Sequence, residues 1–287
     1  MHSRSFPYAL IAPAALLMVL IMGYPLVKAV HWSFLHYLFT DPHVFFVGFA
    51  NYARVLQENR FWQVVLNTIW FTSVSLSISY VIALATALLL NASFRGRTVL
   101  RAFVLLPWVV PPIVAGLIWS TFYDPTIGLF NQMLKSAGFR GIQWLSNPKI
   151  ALWSIMAIMV WKGTPFMIVA LLAGLQSIPD EIYEAAKIDG ASAWHQFRYI
   201  TMPLLMPITS VVLILNAVWR FNHFDLVWML TGGGPGYSTH LISTWSFLAT
   251  FGEMNPGVGS TISMVGVAFS TLFVILALRS FGGERIK

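Results

Sequence analysis

Six long apolar stretches restrict the folding of this chain more than any other feature. They cover roughly residues 8–27, 64–90, 102–122, 150–176, 203–224 and 258–278. A helix of about 20 apolar residues, rising 1.5 Å per residue, crosses the roughly 30 Å hydrocarbon core of a bilayer. Barrel strands alternate in polarity and run about 10 residues, so continuous runs of this length are expected to be helices. Charged residues make up only 9% of the chain and hydrophobic ones 57%, whereas an average soluble domain has about 25% charged. Such a chain cannot coat a globule in water, which excludes an ordinary cytosolic enzyme and a disordered protein. Cysteine is absent, so disulfides, thiol nucleophiles and thiolate metal sites are excluded as well. The first stretch follows Arg4 as a signal peptide would. Pro13 and Pro25 interrupt it and no small-x-small cleavage site follows, so it is expected to be a retained span.

The distribution of Lys and Arg sets the orientation. With the N-terminus inside, segments 1–7, 91–101, 177–202 and 279–287 hold nine basic residues in 53 positions. These are Arg4, Arg95, Arg97, Arg101, Lys187, Arg198, Arg279, Arg285 and Lys287. The outer segments 28–63, 123–149 and 225–257 hold six in 96 positions. The nearly threefold difference in density favours both termini in the cytoplasm. The net charge of +7 therefore reads as an orientation signal and not as a nucleic-acid footprint. In the first outer segment, Val47 to Leu56 has apolar residues at near-helical spacing. An amphipathic interfacial helix and a packed surface loop both fit this pattern. Trp108, Trp119, Trp144 and Trp161 are dispersed in sequence, as expected of interfacial anchors or packing residues.

The inner segment between the fourth and fifth stretches does not read as a simple connector. Four of the ten acidic residues lie between Asp180 and Asp189. Ser177, Pro179, Asp180 and Glu181 form a helix start, because proline fits the first turn and acids complement the positive end of the helix dipole. Gly190 offers a stop. A second short helix is expected from about Ser192 to Ile200, ended by Met202-Pro203. Two short helices around a glycine would make either a compact docking knob or a re-entry loop.

Glu184-Ala185-Ala186, three residues, Gly190, nine residues and Ile200-Thr201-Met202-Pro203 resemble the EAA motif of permease subunits in binding-protein-dependent ABC importers. Met202 stands where that family has Leu. The rest of the chain is similar to the first permease of maltose-type and glycerol-phosphate-type systems. The likeness rests on Phe46 to Tyr52, Phe94 to Arg97, Leu106-Pro107-Trp108, Tyr123-Asp124-Pro125, Phe224-Asp225-Leu226 and Leu230 to Pro235. It implies an all-α integral membrane protein of six transmembrane helices with the type I importer permease fold. Residues 1–63 would be a first span with an outer interfacial segment. Residues 64–287 would be the permease core, with the coupling loop at about 177–202.

The resemblance further implies that Glu184, Ala185, Ala186 and Gly190, with Asp189 beside them, dock into a cytoplasmic ATPase subunit. The expected partners are a second permease subunit, two ATPase subunits, an extracytoplasmic solute-binding protein and membrane lipid, in a bacterial inner membrane. ATP and Mg would be bound by the ATPases. This chain has no G-x-x-x-x-G-K-[ST], and Gly232-Gly233-Gly234 lacks the lysine of a P-loop. It is therefore expected to have no cofactor and no enzymatic activity of its own.

Charges inside spans mark pathways by default. Lys162 lies in the fourth span, within Trp161-Lys162-Gly163-Thr164-Pro165, and Arg220 lies toward the outer end of the fifth. Pro165 and Gly163 can kink that helix and free backbone groups. Asn216, Arg220 and His223 have the spacing of one helical face. Positions of the maltose-type family that line the sugar site correspond to Gly163, Asn216, Arg220 and His223. Lys162, Gly163, Thr164, Asn216, Arg220 and His223 are thus the candidate substrate contacts. Other readings stand beside this one: Arg220 paired with an acid of the partner permease, His223 in an ordinary polar interface, and Lys162 snorkelling toward water. The substrate would be a sugar or derivative, either neutral or bearing an anionic group such as phosphate, sulfonate or carboxylate. An ion-coupled carrier or a channel for small polar solutes is the alternative, but no span holds a carboxylate. A hydrolase or metal site finds no support in seven scattered histidines without an H-E-x-x-H pair.

Overall fold

The computed structural model describes residues 6–282, so Arg4, Arg285 and Lys287 of the inner segments lie outside the described residues. The chain forms two compact units. One gathers the chain up to Trp62 with Ile242–Phe269, and the other gathers Gln63–Leu241 with the chain from Ser270 on.

In the first unit, α1 (Phe6–Met18), a π turn (Val19–Gly23) and α2 (Tyr24–Ser33) run on as one rod. Its Leu10–Ser33 part is long and apolar enough to span a membrane, and none of its most hydrophobic window is buried within the chain. Pro25 lies directly after the π turn, where its missing N–H would otherwise leave a gap in the continuous helix. A hairpin follows: β1 (Leu35–Leu38) pairs antiparallel with β2 (Asp41–Phe46), in the register Leu35 to Phe46 and Leu38 to Asp41. These strands lie ahead of the near-helical stretch at residues 47–56, in a part of the outer segment for which the sequence pattern predicts no element. Beyond them, α3 (Ala50–Gln57) carries the near-helical spacing noted above, with Val55 fully buried. Asn51 Nδ2 donates to the carbonyls of Ser33 (3.0 Å) and Leu35 (2.8 Å), so the segment is both a helix and a packed element. Later in the chain, α13 (Ile242–Phe247) and a π turn (Leu248–Gly252) lead to α14 (Pro256–Gly282). Thr261 Oγ1 of α14 donates to the Ser33 carbonyl at 3.2 Å.

The long α4 (Asn59–Asn91) enters the second unit. Its buried face includes Val64, Thr68, Phe71, Ser75, Ser79, Ala83, Ala87 and Leu90, at the three-to-four residue spacing of one helical side. The third apolar stretch is not one helix. α5 (Arg97–Val109) and α6 (Pro112–Phe122) meet at a 95° bend. The cause is Pro111-Pro112: the residue before a proline is driven out of the helical region, and Val110 is extended at ψ 123°. Five continuous helices among the described residues can therefore span a membrane, and the bent pair makes a sixth.

After α7 (Leu129–Ser136) the chain enters α8 (Ala151–Gln176), which runs through Gly163 and Pro165 without interruption. The backbone break expected there lies instead at Val110. The tryptophans are less dispersed than the sequence suggests. Trp119 packs edge-on to Trp161 (5.6 Å) and near Phe130 (5.8 Å), and Trp144 packs on Tyr123 (5.5 Å). Only Trp108 of the four is largely exposed. Next to this cluster, Asp124 accepts from the N–H groups of Thr126 and Ile127, both at 2.8 Å. These bonds hold its carboxyl below the usual carboxylate range.

α9 (Asp180–Ile188) follows, then α10 (Ala193–Gln196), a π turn (Phe197–Thr201) and α11 (Met202–Phe221). The separate second short helix expected at 192–200 is corrected, because α10, the π turn and α11 are continuous. Pro203 cannot donate to a carbonyl one turn back. The π turn absorbs the defect, with the Met202 N–H reaching the Phe197 carbonyl five residues earlier. α12 (Asp225–Thr231) completes the unit.

Candidate functional site

Two regions hold the candidate residues. The first lies inside the second unit, where α8 and α11 pack together. Arg220 is fully buried in the last turn of α11. Its Nη2 donates to Ser79 Oγ of α4 at 2.9 Å, while Nε and Nη1 have no hydrogen-bond partner among the described residues. No salt bridge to Arg220 is formed among them either. Gly163 explains how the guanidinium fits: a Cβ at that position would stand 2.8 Å from Nη2. The absence of a side chain lets the cation lie against the backbone of α8.

Lys162 is half-buried, and its Nζ donates to the carbonyl of Val110. That residue marks the α5–α6 break, so the lysine caps a backbone group that the broken helix does not use. His223 does not share the helical face of Asn216 and Arg220. α11 ends at Phe221, and His223 sits in the connector before α12, stacked on Phe71 with ring centroids 6.1 Å apart. The chain turns there because the last helical turn closes at Asn222, whose N–H returns to the carbonyls of Val218 and Arg220. The His223 backbone N–H nevertheless donates to the Arg220 carbonyl at 3.2 Å, which holds the connector beside the end of α11.

The two remaining candidates bond to their own helices. Asn216 Nδ2 donates to the Val212 carbonyl (3.0 Å) and Thr164 Oγ1 to the Val160 carbonyl (2.5 Å), and both side chains are buried. The structure therefore sets Arg220 against Gly163, ties His223 to the Arg220 carbonyl, turns Lys162 to Val110, places Asn216 one turn before Arg220, and turns Thr164 back on α8. Sequence reasoning missed Ser79 and the Val110 carbonyl. A signal existed for each. Thr68, Thr72, Ser75 and Ser79 recur at spacings of four, three and four, and a Pro-Pro pair follows Val110.

The second region is the inner segment. No residue of α9 is buried, and Ile188 at its end is 87% exposed. Asp180 and Glu181 occupy the first turn and Lys187 the last, which complements the helix dipole at both ends. The helix closes in a Schellman motif: the Ala191 N–H reaches the Ala186 carbonyl (2.9 Å) and the Gly190 N–H the Lys187 carbonyl (3.1 Å). Gly190 takes the left-handed conformation this requires, at φ +79°. Ser192 then caps α10, accepting from the His195 N–H at 3.3 Å. Tyr183 Oη meets Thr201 Oγ1 at 2.9 Å, fastening α9 to the π turn. Glu184, Ala185, Asp189 and Gly190 are exposed and Ala186 is half-buried, so acidic and small residues face outward together.

Residues 79–282 match the family described as "Binding-protein-dependent transport system inner membrane component". The chain is 41% identical to the trehalose/maltose transport system permease protein MalF of Thermococcus litoralis, over 95% of this chain and 92% of that one. It is 36% identical to the sulfoquinovosyl glycerol transport system permease protein SmoG of Agrobacterium fabrum, over 96% and 90%. In fold it resembles a chain in the crystal structure of a bacterial alginate ABC transporter in complex with an alginate pentasaccharide-bound periplasmic protein. The TM-score is 0.84 at 22% identity, covering 96% of this chain and 93% of that one. A bent third span, a glycine-closed exposed inner helix and buried cations among apolar helices thus occur in a chain that belongs to this family: it is a multi-pass inner membrane permease subunit of a binding-protein-dependent ABC transporter, not itself an ATPase.

Proposed function

We propose that this subunit, with a second permease subunit, forms the pathway of an ATP-driven importer for a sugar or sugar derivative. Two cytoplasmic ATPase subunits drive it, and an extracytoplasmic solute-binding protein delivers the substrate to its outer loops. Both termini lie in the cytoplasm, as the Lys and Arg bias requires. Residues 64–287 form the permease core, and 1–63 add a span with an outer segment. The sugar class is supported by what the relatives are named for, trehalose/maltose and sulfoquinovosyl glycerol.

The observation that carries this reading is α9. It is a helix with no buried residue, closed by a glycine that only a fixed turn requires, and it exposes Ile188 to solvent. Along the same segment Ile188, Trp194 and Tyr199 are each more than half exposed, apolar area that a partner's surface would cover. Glu184, Ala185, Ala186, Asp189 and Gly190 would fit the ATPase groove, with the alanines allowing close approach and Glu184 meeting a basic or hydrogen-bonding group. Substrate would pass the Gly163–Arg220 contact, with Lys162, Thr164, Asn216 and His223 around it. Glu184→Lys tests the coupling role. Uptake in cells carrying the complete transporter should fall by more than tenfold while the subunit still reaches the membrane. Uptake at the wild-type rate would remove Glu184 from the coupling surface.

A further inference from the structure

Near the inner ends of α4, α5 and α8 lies a groove of about 260 Å³. Its walls are aliphatic, formed chiefly by Val104 and Leu105 of α5 and Ile168, Val169 and Leu172 of α8. Its two polar members are Arg101, in the second turn of α5, and Gln176, the last residue of α8. The groove thus has a polar end where α5 begins and α8 ends, and an apolar length running along the two helices from there. From Gln176 to Ile168 that length is roughly 12 Å at 1.5 Å per residue. A sugar needs hydrogen-bonding groups along its path, and these walls supply none.

Arg101 is a cation without a counter-charge. Nη2 donates to the Leu90 carbonyl at 3.1 Å, Nε is buried with no hydrogen-bond partner, and no salt bridge reaches it among the described residues. A phosphodiester matches a guanidinium in charge and in donor geometry. Basic pockets between spans on the cytoplasmic side suit anionic lipid headgroups. We infer that this groove binds an anionic phospholipid of the inner leaflet, with its phosphate at Arg101 and one acyl chain between α5 and α8. The leaflet, though not the chemistry, rests on the orientation proposed above.

Native mass spectrometry of the purified, assembled transporter would test this with phosphatidylglycerol, phosphatidylcholine and inorganic phosphate as probes. Wild type should retain phosphatidylglycerol over phosphatidylcholine, and Arg101→Gln should weaken that retention about tenfold or more. Val169→Trp, which fills the groove and leaves the cation, should also displace the lipid. Arg97→Gln, outside the groove, should leave it bound. Should Arg101→Gln fail to assemble, Arg101→Lys and Val169→Trp still decide the matter: the first should keep a preference for the anionic lipid and the second should lose it. Equal retention in wild type and Val169→Trp would overturn the inference, as would displacement by millimolar inorganic phosphate, which would mark an anion site. No retention in wild type would show the groove closed by the other permease and would overturn it too. The readout is lipid retention and needs neither uptake nor ATP hydrolysis, so its failure is distinguishable from failure of the proposed importer function.

Discussion

The exposed helix α9 and the buried Arg220 treat charge in opposite ways. In α9 and its turn, four acids lie on a helix without buried residues, where water screens each of them. Around Arg220 the charge is shut away, and its one side-chain hydrogen bond among the described residues is donated to a serine 141 residues earlier in the chain. A buried guanidinium without a carboxylate costs several kcal/mol in desolvation. The fold tolerates that cost at one place while keeping carboxylates out of the spans altogether. Exposed charge suits a surface that must bind and release another protein. Buried charge with unused donors suits a place where a passing ligand supplies the missing acceptors.

Several changes would break or sharpen that contrast. The largest effect is expected at Arg220. Arg220→Met should leave the assembled subunit at least as heat-stable as wild type, since it removes an uncompensated buried cation, while uptake falls tenfold or more. A large drop in the melting temperature would make Arg220 a structural residue and erase the contrast. Arg220→Gln, assayed with neutral and anionic candidate sugars, separates a charge role from a hydrogen-bonding one, because equal losses for both count against charge.

Gly163→Ala should act more mildly. Its Cβ would stand too close only to Nη2 (2.8 Å), the end of a flexible side chain, with Arg220 Cζ and Met159 Cε in ordinary contact at 3.6 Å. Stability should fall by about 1 kcal/mol or less, while uptake drops several-fold as the guanidinium leaves Ser79. Uptake at the wild-type rate would show that the contact is packing alone.

The smallest effect on the whole fold is expected at Gly190, where nothing surrounds the missing Cβ and the strain is purely in the backbone. Gly190→Ala should cost about 1 kcal/mol locally, read as faster hydrogen exchange in α9 and weaker retention of the ATPase. Gly190→Asn, better suited to the left-handed region, should recover part of both. Identical behaviour of the two variants would mean that something other than φ governs the turn.

The same contrast explains how much could be read from the sequence. The α9 segment was legible to within a few residues because its structure is local: Pro179, Asp180 and Glu181 open the helix, Gly190 closes it and Ser192 caps the next. Only the junction with α11 escaped, since a proline at 203 reads as a stop and a π turn leaves no mark in composition. The cation cluster was half legible. Arg220 and Lys162 stand out as charges in apolar helices, but Ser79 and Val110 come from distant elements. His223 seemed to share a helical face only because the spacing was continued past the real helix end at Phe221.

By itself, then, the sequence determined the number and approximate place of the membrane-crossing segments, the charge asymmetry between their connecting segments and the EAA-like motif between α8 and α11. Each of these follows from local hydrophobicity, turn chemistry or spacing. Only the tertiary structure decided that the third span bends at Val110, that the outer segment opens with a hairpin, and that Lys162 serves a broken helix. It also decided that Arg220 lies on the bare backbone of Gly163. These depend on which helices approach each other, and close packing between distant segments is set by the shapes of all of them at once.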